Sequence, residues 1–481
     1  MNRENLEKLS KDELIDIILA LAAKVAELEA RVNMNSSNSS KPPSNDQWKK
    51  PQSPRKKSDK KLGGQPGHKG HGLEIKRDPD ETVELKPTVC KECNAGLCDA
   101  DGAILDTRYK IDVEIRTIIT RYNQMEVVCP VCESLNTGEF PDGITSRAQY
   151  GEGVRAISVL LTNYAMVGYD KTQKILNDVF DVPIRASTVA NHVKKFAQKS
   201  EPVLNEIVER LKKSRILHFD ETGIRVNGKT QWLHTASNEE ATYNTVHPNR
   251  GQAGTDDNGV LKGFRGTAVH DCWKPYFQYN NCVHALCNAH LLRELQGVID
   301  NTGQLWASQM QELLRNMKEV VARYKDNGKE NLSSYYNKKF ADAFAQTIKL
   351  GEEENPLQVG QKKRSKARCL LDRFITYQME ICRFAEDFAV PFDNNQAERD
   401  IRNAKVKQKV SGCFRSNEGV RNFGRNSSVI GTALKQGLSA FKAVSGIITG
   451  SVNSLFQTTY TNAHKLFSCS DGDSAHHGLL P

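Results

Sequence analysis

The chain has 481 residues, a formal charge of +9, 38% hydrophobic residues and twelve cysteines. Its length suits about three domains, and no run approaches the roughly 18 apolar residues of a membrane-spanning helix. The start, MNRENLEKLS, has neither a basic n-region nor an apolar h-region, so a cytoplasmic, reduced setting is expected, in which some cysteines bind metal rather than pair as disulfides. The excess of cations points to nucleic acid or another anionic surface as partner.

Residues 1–33 open with Ser10 and Glu13 in SKDE, the pattern of a capping box. Leu14, Leu21 and Leu28 follow at intervals of seven, with Ile18, Val25 and Val32 between them. Leucine at d with β-branched residues at a favours a parallel two-stranded coiled coil, so this segment is expected to pair two protomers. One amphipathic helix packed on its own chain is the alternative. Residues 34–75 are rich in Ser, Asn, Pro, Gly and Lys and nearly free of apolar residues, which predicts a flexible linker. Its basic run, Arg55, Lys56, Lys57, Lys60 and Lys61, either tracks phosphates or only keeps the linker solvated.

Between 76 and 145 stand two knuckles, Cys90-x2-Cys93 and Cys129-x2-Cys132, with Cys98 as a spare thiol. Two thiolates from each knuckle suit one tetrahedral structural zinc, and alternating stretches such as YKIDVEIRTIITRY read as strands of a zinc-ribbon-like module. Asn94 and Glu133 stand where a knuckle turn favours glycine. Residues 146–205 read as helical. A helix over 170–180 stops before Val182-Pro183, and Ser187 can cap a second helix that shows Thr188, Asn191, His192, Lys194 and Lys195. That is the pattern of a helix-turn-helix that binds DNA, and also of many ordinary helix pairs.

From 206 to 290 a strand-rich segment appears. Ile216–Phe219 is apolar and delivers Asp220 at its end, Asn227-Gly228 marks a hairpin, and QWLHTA returns. A second short strand ends in Asp271. Residues 291–389 are helical by pattern, and 390–450 hold DNNQAERDIRNAK with Glu398. Seven residues on, two helical turns, Lys405 lies on the same face as Glu398. Asp393, Asn394 and Asn395 suit the start of that helix. Three carboxylates from two strands and a helix can hold two Mg2+ (or Mn2+) ions about 4 Å apart for in-line phosphodiester displacement. Arg399, Arg402, Lys405, Lys407 and Lys409 would meet a polyanion there. A helix over 427–444 packs back on the core, and 451–481 form a tail.

These segments carry a resemblance. NSSNSSKPPSND and GGQPGHKGH, the two knuckles, HFDETGIRV, QWLHTAS, HPNRG, HDCWKPYF, HALCNAHLLREL and DNNQAERDIRNAK together resemble the IS66 family of insertion-sequence transposases, nearly end to end. The resemblance implies a multidomain α/β chain with an RNase H-like catalytic core and an Asp-Asp-Glu triad. Position by position the triad is Asp220, Asp271 and Glu398. The stretch from Asp271 to Glu398, a spacing of 127, then holds an all-helical insertion at 291–389. It further implies double-stranded DNA as partner, a dimer or higher oligomer in the synaptic complex, and small accessory proteins from the same element. In CVHALCNAHLLREL, Cys282, His284, Cys287 and His290 either form a second zinc site or leave His290 to support the active site. A non-enzymatic zinc and helix-turn-helix regulator, and a nuclease without strand transfer, are the competing functions.

Overall fold

The computed structural model describes residues 9–39, 67, 72–357 and 364–456. The chain forms two compact units, residues 53–120 and the remainder. Among the described residues no helix is long and apolar enough to cross a membrane.

In the smaller unit the described residues hold turns and one isolated bridge but no helix or strand. Asn94 N–H donates to Cys90 O at 3.0 Å and Cys90 N–H to Ala95 O at 2.8 Å, closing the first knuckle. The strands expected in YKIDVEIRTIITRY are absent, and residues 101–125 have no regular structure. Ile111, Val113, Ile118 and Ile119 are exposed there, so the alternation meets no layer to cover it.

The larger unit begins with α1 (Lys11–Val32), whose Ser10–Glu13 capping box forms as read. Ile18, Leu21, Val25, Leu28 and Val32 are exposed along it. The linker expected from residue 34 starts as a packed turn, because Asn38 is buried against Gly297 and donates to Asp300 Oδ2 at 3.1 Å. A short hairpin, β1 (Glu126–Val128) and β2 (Leu135–Thr137), carries the second knuckle. Its turn repeats the first, with Glu133 N–H on Cys129 O at 2.9 Å and Cys129 N–H on Ser134 O at 2.8 Å.

Four helices follow: α2 (Glu152–Val159), α3 (Tyr169–Asp178), α4 (Ala186–Lys199) and α5 (Glu201–Lys212). A π-helical turn, Leu160–Tyr164, ends α2. The cap expected of Ser187 is not made. Arg185 is the N-cap of α4 and offers no side-chain bond, while Ser187 lies inside the first turn.

The central sheet has the order β5-β4-β3-β6-β7. Its strands are β3 (Ile216–Val226), β4 (Lys229–Ser237), β5 (Thr242–His247), β6 (Thr267–His270) and β7 (Val283–Leu286). Strands β3, β4 and β5 are antiparallel; β6 and β7 run parallel to β3. Asn227 and Gly228, both at positive φ (46° and 75°), make the tight hairpin expected of that pair. Leu217 and Phe219 enter one core with Leu204, Ile207, Leu211 and Phe264. Ile224 and Val226, of opposite parity, enter a second with Ile401, Ala404 and Phe423.

Between β5 and β6 lie the short helices α6 (Gln252–Asn258) and α7 (Val260–Gly263). After β7 come α8 (Asn288–Thr302), α9 (Leu305–Asp326), α10 (Ser334–Glu354), α11 (Lys366–Thr376) and α12 (Gln378–Glu386). They build a helical core around Trp306, Phe344 and Phe374, as the pattern of 291–389 predicts. α13 (Asn395–Ser411) bears Glu398. The closing helix expected over 427–444 is two: α14 (Asn417–Lys435) and α15 (Ala440–Thr449), separated at Gly437, whose φ is +71°.

Candidate active site

β6 pairs with β3 only from Ile216 to His218, so the next residues of β3 have no neighbour on that side. Asp220 stands just beyond this step. It lies within the strand rather than at its end, because β4 pairs along β3 as far as Val226. Asp271 is the first residue past β6, its Oδ1 accepting from Trp273 N–H at 2.9 Å.

The start of α13 closes the same notch. Asn394 is 1% exposed and works as a bridge, not as the side-chain cap expected of it. Its Nδ2 donates to Phe219 O and its Oδ1 accepts from His218 Nδ1, both at 2.8 Å. Its backbone N–H reaches Cys287 Sγ at 3.2 Å. Asp393 takes the capping role, accepting from Asn395 N–H at 3.2 Å, and Asn395 itself is exposed. Glu398 is thereby set in the first turn, facing β3. Lys405, two turns on, donates to Gly223 O of that strand, so the common face of the two residues holds.

Burial pushes the Asp220 carboxyl well above the carboxylate range, and the charges of Glu221, Asp271 and Glu398 push it further. Burial and Glu221 bring Asp271 up to about 6, against the Trp273 hydrogen bond and Arg250. Glu398 Oε1 is buried and meets no hydrogen-bond partner. Burial, Glu221 and the charges of Asp271 and Glu398 thus converge on Asp220, and with the orphaned oxygen of Glu398 these hard donors fit magnesium or manganese.

Two further groups complete the site. Glu221 is 8% exposed and shares the buried parity of Leu217 and Phe219. It accepts from Arg250 at 2.7 Å and from the Tyr276 hydroxyl at 2.5 Å. The Arg250 guanidinium lies over the rings of Trp232 and Trp273, 5.0 and 4.1 Å from their centroids, and 3.9 Å from Asp271 Oδ2. Neither Glu221 nor Arg250 was singled out from sequence. The available signal was a carboxylate at an apolar position of an alternating strand, which demands a buried partner.

His290, in the first turn of α8, brings Nδ1 to 3.8 Å from Glu398 Oε1. Burial lowers its imidazole to about 4, whereas burial and then Glu398 raise the Cys287 thiol to about 12. The four-residue set with Cys282 and His284 does not assemble. His284 Nδ1 pairs with His270 Nε2 at 2.9 Å, and Cys282 Sγ points to Tyr279 O. Among the described residues, Cys287, His290 and Glu398 form the cluster able to hold a metal ion.

The remaining cations spread along the surface. Arg399 and Arg402 are exposed on α13, Arg399 donating to Gln396 at 2.8 Å. Lys407 is not a surface cation. It is 9% exposed and donates to Thr162 O (2.9 Å), Met166 O (3.5 Å) and Val167 O (2.8 Å) around the π-helical turn. On α4, Ser187, Asn191 and Lys195 are exposed and Thr188 is half-buried. Lys194 pairs with Glu418 at 2.7 Å, and His192 is buried, 3.1 Å from Ser158 Oγ. Lys56 and Lys57 lie outside the described residues. At the knuckles, the backbone amides of Cys93 and Glu92 and then the Cys93 thiol lower the Cys90 thiol, while Ser134, its hydroxyl 3.1 Å from Cys132 Sγ, and then the Cys129 thiol lower that of Cys132.

A family model described as "Transposase IS66 family" matches residues 147–422, more than half of the chain, including Asp220, Asp271 and Glu398. A second, a family of unknown function (DUF6444), matches residues 3–74. No curated protein matches the chain. With the family model spanning the sheet, the helical insertion and α13, the chain belongs to the IS66 family of transposases.

Proposed function

We propose that the chain cuts DNA at the ends of its insertion sequence and joins the freed ends to target DNA, with Asp220, Asp271 and Glu398 as the catalytic triad. The observation that carries this reading is the buried Asp220, whose carboxyl is pushed up by burial, by Glu221 and by the charges of Asp271 and Glu398, at the step where β6 stops pairing with β3. The strand order, three antiparallel strands continued by two parallel ones, supports an RNase H-like core with 291–389 as its helical insertion.

The triad would hold two magnesium or manganese ions, which when bound neutralise charge at the attacking and leaving oxygens. The chain's own residues supply position. Asn394 fixes the start of α13 and so Glu398. Arg250, clamped by Glu221 and the two indoles, holds the mouth of the site positive beside Asp271. Lys405, Arg402 and Arg399 meet the DNA backbone along α13. In hydrolysis, water attacks the phosphorus at an element end, the bond to the bridging 3′ oxygen breaks, and a 3′-hydroxyl is released. In strand transfer, that hydroxyl attacks a target phosphodiester, and a target 3′-hydroxyl leaves.

The other modules follow from the same reading. Ser187, Thr188, Asn191, Lys194 and Lys195 of α4 meet the terminal repeats in a helix-turn-helix manner, with Lys56 and Lys57 on neighbouring phosphates. Cys90, Cys93, Cys129 and Cys132 are knuckle ligands for structural zinc, supported by the thiol contacts within each pair. The exposed apolar stripe of α1 pairs protomers in the synaptic complex. Small accessory proteins of the element assist, and the protein works in the bacterial cytoplasm on the nucleoid.

The test is strand cleavage and joining on DNA carrying the element's ends, in magnesium or manganese, with wild type against Glu398→Gln. Cleavage and joining by wild type alone are expected. Equal cutting by both would remove Glu398 from the chemistry, cutting without joining would leave a nuclease, and binding without cutting would leave a regulator.

A further inference from the structure

The Cys-x-x-His pair does more than flank the triad. Cys287 ends the strand segment that starts α8, and His290 lies in that helix's first turn. Glu398 lies in the first turn of α13. The two helix starts are locked together by Asn288 N–H on Phe392 O at 3.0 Å and by Asn394 N–H on Cys287 Sγ at 3.2 Å. One ligand atom from each of the three side chains falls within 4.8 Å of the others, and His290 Nδ1 lies 3.8 Å from Glu398 Oε1. Both of the latter atoms are buried, and neither has a hydrogen-bond partner. Zinc–ligand bond lengths place neighbouring ligand atoms about 3.3–3.7 Å apart in a tetrahedron, so closing this cluster on an ion needs at most about 1.5 Å of contraction, and about 0.5 Å between His290 and Glu398.

We propose that Cys287 Sγ, His290 Nδ1 and Glu398 Oε1 form a binding site for a thiophilic divalent cation, zinc above all, which takes Glu398 from the triad and so inhibits the enzyme. The inhibitory part rests on the catalytic reading of Glu398; the site itself does not. Sulfur and imidazole select a borderline-soft ion, whereas magnesium requires octahedral oxygens. The Asn394 N–H already directed at Sγ is the contact a metal thiolate accepts. Binding forms the metal–sulfur bond and releases the thiol proton to solvent. A fourth position stays open for water.

Cobalt(II) is the probe, added to the full chain, to Cys287→Ser and to His290→Gln, with folding checked by circular dichroism. The knuckle thiols also take cobalt, so the reading is the difference between chains. Expected are a thiolate-to-cobalt charge-transfer band in the wild type minus Cys287→Ser spectrum, and loss of about one bound cobalt per chain. His290→Gln, which keeps the thiol, should bind that cobalt at least about tenfold more weakly. Identical spectra and stoichiometries in all three folded chains would overturn the site. In magnesium-supported cleavage, zinc should inhibit wild type reversibly by chelator. Cleavage indifferent to zinc while the difference band persists would overturn the competition. Absence of any cleavage with the band intact would count against the catalytic reading alone and leave the site standing.

Discussion

Replacing Asn394 by alanine should uncouple the start of α13 from β3. The side chain is 1% exposed and makes two hydrogen bonds of 2.8 Å, to Phe219 O and His218 Nδ1. Alanine leaves both partners without that bond. An unsatisfied buried polar group costs about 1–3 kcal/mol, so the pair should cost about 2–4 kcal/mol in stability. The catalytic loss should be larger than the stability loss implies. A misplacement of roughly 1 Å can lower a rate by about 100-fold, and Glu398 sits one helical turn from the lost bridge. Urea denaturation gives the first quantity, and end cleavage well below the unfolding transition gives the second. Asn395→Ala, at the exposed neighbour, should shift stability by less than about 0.5 kcal/mol. If Asn394→Ala matched Asn395→Ala in denaturation, and cut DNA like wild type, the bridge would not position Glu398.

Burial lowers the Lys407 ammonium from 10.5 to about 8. The folded chain then gives up this proton before the unfolded chain does, so stability should rise between pH 8 and 10.5, by up to about 3 kcal/mol, and Lys407→Met should abolish that rise in pH-dependent denaturation. A double-mutant cycle over Glu221→Gln and Arg250→Met should return a coupling of about 1–3 kcal/mol in stability, reduced from a fully buried pair by the partial exposure of Arg250. Cys93→Ser and Cys132→Ser should each lower the zinc content of the purified chain, measured by elemental analysis. Glu133, at φ 57°, occupies a backbone region that suits glycine, so Glu133→Gly should slow loss of zinc to a chelator, with a gain of about 1 kcal/mol at most; Asn94→Gly should gain less, since asparagine tolerates that region.

Local chemistry was legible in the sequence wherever it sufficed to determine structure. Ser10 and Glu13 cap α1, and Asn227-Gly228 turns the hairpin, because each acts through bonds and dihedrals of near neighbours. The helical character of 291–389 was readable for the same reason, its apolar periodicity closing a core of its own. Where partners come from afar, the reading slipped. Asp220 looked like the end of a strand because Asp220, Glu221 and Thr222 are polar, yet β4 supplies a ladder that carries β3 on to Val226. The alternation in 109–122 promised strands, but no other strand pairs with it among the described residues. Ser187 was a plausible cap, and the preceding chain geometry starts the helix two residues earlier. Asp220, Asp271 and Glu398 were readable only as carboxylates beside two strands and on a helix, each alone as apt for a turn or cap; their meeting at Asp220 is tertiary. Asn394 as a bridge, and the Glu221–Arg250 pair between two indoles, were not readable. Both depend on tertiary contacts between segments 29 to 176 positions apart.

The anchoring of Lys407 bears on how far this protein's parts can be exchanged. Helices α2–α4, proposed above to meet the terminal repeats, are joined to α5 at Ser200, which invites grafting another recognition head at that point. Yet the carbonyls of Thr162, Met166 and Val167 cradle an ammonium that belongs to α13, 240 to 245 positions further along the chain. A graft that removed them would strand a buried cation on the helix that carries Glu398. A chimera would therefore have to import a matching carbonyl cup, or convert Lys407 to an apolar residue in the same step. If α4 reads the element ends as proposed, exchange of end specificity is constrained to its exposed face, where Ser187, Asn191 and Lys195 can vary without disturbing the seat of α13.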